Sequence, residues 1–84
     1  MTFGLDRVVD IGGRSIAAIV DSSLEVYPVR AAVAGSGRKT PLSILIHEAG
    51  VTSAIDINGR PLSLDVVEQR YPGMLAKFIA AITL

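Results

Sequence analysis

Residues 33–41 read VAGSGRKTP, and two glycines, two basic residues and a threonine are the materials of a phosphate-binding loop. A nucleotide-binding P-loop needs a glycine directly before Lys-Thr and another five positions earlier, so that backbone amides can approach the phosphates. Arg38 holds the first of those positions and Val33 the second. The motif also needs a strand, a long helix and a parallel sheet around it. The expected role is therefore a hairpin loop, with Gly35 and Gly37 supplying turn conformations. Arg38 and Lys39 are the candidate contacts for a small anionic ligand or nucleic acid, with Arg30 and Arg60 as further basic residues.

His47 is the one histidine, and it is followed by Glu48. A zinc-protease helix would carry a second histidine four residues on, where Val51 stands. One histidine also falls short of a conventional zinc site. Ser43, His47, Thr52 and Asp56 fall on one polar face if residues 42–57 form a hairpin, but Asp56 is then too distant to complete a triad with them. A general base at His47 is the enzymatic alternative, and a solvated strand histidine is the expectation. Asp6, Asp10, Asp21 and Glu25 are spread over turns and a polar face, where nothing separates their pKa values for acid–base work. No catalytic residue, metal site or cofactor is expected.

These side chains must be positioned by short β-branched runs separated by turn signals. Gly12-Gly13 between LDRVVDI and RSIAAIV predicts a hairpin with a two-residue turn. That register opposes Ile11 with Arg14, Val9 with Ile16, Arg7 with Ala18 and Leu5 with Val20. Leu5, Val9, Ile11, Ile16, Ala18 and Val20 then share one face, and Asp6, Asp10 and Ser15 the other. A second hairpin with Ala49-Gly50 at its tip opposes Ile44 with Ile55, Leu42 with Ile57 and His47 with Thr52. It collects Leu42, Ile44, Ile46, Val51, Ile55 and Ile57 on a single apolar face. The rival for residues 41–49 is a helix capped by Thr40, with Pro41 at its first position and Gly50 as terminator. DINGRP adds a third turn and a brief return strand limited by Pro61. SLEVYPVRAAV reads as a further strand whose Pro28 suits an edge or a bulge.

The period changes after Ser63, which is placed to cap a helix with Asp65 in its first turn. Leu64, Val67, Tyr71, Leu75, Phe78 and Ile82 recur at helical spacing. Pro72-Gly73 predicts two helices or one sharply kinked helix, both pieces covering the apolar face of the sheet. Glu68, Gln69, Arg70 and Lys77 lie off the stripe. Tyr71, Pro72 and Met74 at the break are the candidate interface residues, because Tyr and Met are common at recognition surfaces; the bland reading is that they finish the core.

Eighty-four residues, half of them apolar, make one small domain near the size where burial becomes difficult. Aromatics are confined to Phe3, Tyr27, Tyr71 and Phe78, so the core must be aliphatic, and short apolar-rich chains often gain the missing burial by association. Eight basic and eight acidic residues balance, which speaks against a dedicated nucleic-acid binder. The absence of cysteine excludes disulfides and thiolate chemistry. No signal peptide and no membrane-spanning run is visible, so the expected location is the cytoplasm. The fold class expected is α+β: a single domain over 1–84, with an antiparallel, mostly meandering sheet of about five strands over about 5–62. A broken C-terminal helix over about 64–82 packs on one face. The expected function is a small non-catalytic protein-interaction domain, homodimeric or bound to another protein. The alternative is a module for a small anionic ligand or nucleic acid using the Gly35–Lys39 loop.

Overall fold

The computed structural model describes residues 2–21 and 40–83. The predicted strand over 23–33 and the Gly35–Lys39 loop lie outside them. Six antiparallel strands are described: β1 (Phe3–Leu5), β2 (Val9–Ile11), β3 (Arg14–Asp21), β4 (Thr40–Glu48), β5 (Val51–Asp56) and β6 (Pro61–Leu62). Two helices follow, α1 (Leu64–Arg70) and α2 (Met74–Ile82). The sheet runs β1-β3-β4-β5-β6, with β2 sharing the outer edge of β3 with β1. This is the α+β meander expected from the turn signals, and residues 41–48 are strand rather than helix.

The turns set the registers. Gly12 and Gly13 both take positive φ, 57° and 80°, which a two-residue type I′ turn requires, and Ile11 and Val9 pair with Arg14 and Ile16 as expected. Ala49 and Gly50 repeat this geometry at φ 53° and 78°, pairing Ile44 with Ile55 and His47 with Thr52. The Asn-Gly turn has three loop residues. The Asp56 carbonyl accepts from Gly59 N at 3.0 Å, and its Oδ1 accepts from Asn58 N and Arg60 N at 2.8 and 2.9 Å. Asp at the first position and glycine at the fourth are the preferences of a type I turn.

Three predicted pairings are corrected. Arg7 does not pair with Ala18, whose carbonyl accepts from Asp6 N at 2.8 Å instead. Leu5 opposes Ile19 rather than Val20, because the edge strand spends one more residue between Leu5 and Val9 than β3 spends between Ile19 and Ile16. That extra residue turns Leu5 to the opposite face. Leu42 does not pair with Ile57, since β5 ends at Asp56 opposite Ser43. The register of β3 on β4 shifts between Ile19 and Val20, leaving Leu42 as the extra residue, and it packs against the core.

The larger correction concerns which face the helices cover. Ala17, Ile19, Leu45 and Ala54 are buried beneath Val67, Met74 and Phe78. These sheet residues alternate with the isoleucines, so the helices cover the face that also carries Ser43, His47 and Thr52. The face predicted to be the core side lies opposite. The reason is steric: two short helices pack closely over the small side chains Ala17, Ser43 and Ala54, while a row of β-branched residues would hold them off. The helical stripe itself is as expected. Ser63 Oγ accepts from Val66 N at 3.2 Å. α1 stops at Tyr71 before Pro72, as the restriction on pre-proline residues demands, and Gly73 at φ 87° starts α2. Leu64, Tyr71, Leu75 and Ile82 flank the buried Val67 and Phe78.

Candidate functional site

On the helix-covered face, beyond the helices, four polar residues cross the sheet in one row. Asp10 opposes Ser15, Ser15 opposes His47, and His47 opposes Thr52. The row resolves into two separate pairs. Ser15 Oγ donates to Asp10 Oδ1 at 2.6 Å, and His47 Nδ1 lies 2.8 Å from Thr52 Oγ1. A nucleophile relay needs the carboxylate on one imidazole nitrogen and the hydroxyl on the other. Here the carboxylate serves a hydroxyl instead. Ser43 and Asp56, the other members of the predicted polar face, are committed elsewhere. Ser43 is fully buried, with its hydroxyl donating to the Ile55 carbonyl at 2.9 Å, and Asp56 organises the β5–β6 turn. The structure therefore brings His47 and Thr52 together, and among the described residues no hydrogen bond links a carboxylate to the imidazole.

Tyr71, Pro72 and Met74 do not form an exposed bump. Met74 is buried in the core cluster, and Tyr71 meets Phe3 edge to face, with ring centroids 5.5 Å apart and planes at 70°. Only Pro72 of the three is exposed. Between the two large side chains, Gly73 takes a φ of 87° and its amide donates to Glu68 Oε2 at 3.2 Å. Arg38, Lys39 and Arg30 lie outside the described residues, and Arg60 is exposed at the β5–β6 turn. Among the described residues no three His, Cys, Asp or Glu side chains are placed to hold a metal ion.

The feature that sequence reasoning assigned to the core is the one left open. Directly opposed residues share a face, so Val9, Ile11, Ile16, Ala18, Ile44, Ile46, Val51 and Ile55 form one aliphatic surface across β2, β3, β4 and β5. Neither helix touches it: the core and the side chains packed against it include none of the eight. Val9, Ile11 and Val51 are 43%, 60% and 65% exposed. Ile16, Ile44, Ile46 and Ile55 are half-buried, and Val20, next after Ala18 on the same face of β3, is buried. Among the described residues, Arg14 and Glu48 border this patch at its end, paired at 3.2 Å. Contiguous aliphatic surface of this kind marks an interaction site more often than solvent-facing sheet.

Comparison with protein-family models, with curated proteins and with solved structures finds no match to this chain.

Proposed function

We propose that this chain is a small non-catalytic protein-interaction domain of the cytoplasm, working by burying its open sheet face against protein. The observation that carries this reading is that open face, where strand residues of the apolar type usually spent on a core remain accessible. Burying apolar surface is worth about 25 cal/mol per Å², so one fully buried isoleucine contributes on the order of 2 kcal/mol to association. The polar groups support the same reading from the other side. The hydroxyls of Ser15 and Ser43, the His47 ring and the Asp56 carboxylate are engaged in local hydrogen bonds. The absence of cysteine suits a reducing compartment.

Native mass spectrometry of the protein gently purified from its own cells tests the reading. A homodimer, or a complex with a second protein, that is lost in Ile16→Lys is the expected result. A monomer carrying a bound small-molecule mass would overturn it. His47→Ala is expected to keep full cellular function; loss of function with the fold intact would return the imidazole to the centre of the argument.

A further inference from the structure

We infer that the occupant of the open face is a second copy of this chain, the two sheets packing face to face as a sandwich. This rests on the interaction reading above and names its partner. β2, β3, β4 and β5 hold 3, 8, 9 and 6 residues, and at about 3.3 Å per residue and about 4.8 Å between strands they give a face of about 400 Å². Two such faces together cover about 800 Å², the size of a weak, transient association. One sheet layer of a second copy supplies that area without any further element.

The chemistry of the face fits itself. Ile16, Ile44, Ile46 and Ile55 form a row and column of branched aliphatic side chains interrupted by Ala18 and Ser53. Large and small residues on one pleated face are what interdigitating sheets in a sandwich require. Among the described residues the eight of this patch include no aromatic side chain and no charge to select a partner of different character. Arg14 and Glu48 neutralise each other at its rim, so an approaching copy meets no net repulsion. A helix-bound partner of opposite charge would find nothing here to recognise.

An association of this size is weak and concentration-dependent, and sedimentation equilibrium of the full chain from micromolar to millimolar concentration is the experiment. The wild type is expected to dimerise. Ile46→Lys, which puts a charge at the middle of the face, is expected to be monomeric with unchanged circular dichroism. Val51→Lys lies at the exposed hairpin tip, where it leaves the fold intact, and is expected to weaken the dimer by about tenfold or more; it decides the matter if Ile46→Lys fails to fold. A wild-type monomer throughout the range overturns the inference, whether the face is then covered by the chain's own residues 22–39 or by another protein. Co-purification of a second protein with such a monomer, lost in Ile16→Lys, would overturn the second copy while sustaining the interaction reading. A dimer that persists unchanged in both lysine variants also overturns it, by placing the contact on another surface.

Discussion

Single residues in this chain are strained or satisfied in ways that give definite expectations. Ala49 is the one non-glycine with positive φ among the described residues, and it occupies the turn position where asparagine is preferred. A side chain in the left-handed region costs about 1 kcal/mol. Ala49→Asn is therefore expected to stabilise the fold by about 0.5–1 kcal/mol, read as a shift of the urea midpoint with unchanged slope. Phe78 lies at the opposite extreme. It is fully buried and is the largest side chain of the core, clustered with Ala17, Ile19, Leu45 and Ala54 of the sheet. Phe78→Ala removes a volume those neighbours cannot refill and is expected to cost about 3–5 kcal/mol. That is a large share of the stability of so small a domain, so the variant should be mostly unfolded by circular dichroism at moderate temperature.

At the scale of elements, the helical pair is controlled by its break. Pro72 ends α1, Gly73 redirects the chain, and the Glu68 carboxylate reaches the Gly73 amide across the gap. Open space surrounds the position where a Cβ would stand on Gly73, so the cost of Gly73→Ala comes from its φ of 87° alone. It is expected to destabilise by about 1–2 kcal/mol, measured in the same urea titration. Because Gly73 lies on the helix side, this change should leave the dimer constant untouched once the chain is folded. The sheet shows the complementary principle. Extra residues on the edge strand and at Leu42 move individual side chains from the open face to the core face. Register shifts of one residue thus decide which apolar residues stabilise the monomer and which remain for association.

The described residues form two layers, sheet and helices, and neither helix covers the second face of the sheet. If that face closes on a second copy, folding and association are linked, and thermal stability rises with protein concentration. An increase of several degrees in Tm on raising the concentration a hundredfold is expected, and it should vanish in Ile46→Lys. The sequence by itself determined the local architecture: the Gly12-Gly13 and Ala49-Gly50 turns, the alternation along β3, β4 and β5, the Ser63 cap and the helical stripe from Leu64 to Ile82. These follow from backbone preferences and side-chain period, which act over a few residues. The sequence also exposed the isoleucine-rich face as a single surface. It did not decide what covers that surface, because hydrophobicity alone marks the isoleucine side as the interior. The bulges at Asp6–Val8 and Leu42 carry no turn signal, so Leu5 and Leu42 were assigned to the wrong side. Tertiary packing chose the opposite face for the helices, since Ala17, Ser43 and Ala54 allow close approach and a wall of β-branched side chains does not. Whether a half-apolar sheet becomes a core or an interface is settled by which face the rest of the chain fits, and that is a property of shapes in contact rather than of any one residue's hydrophobicity.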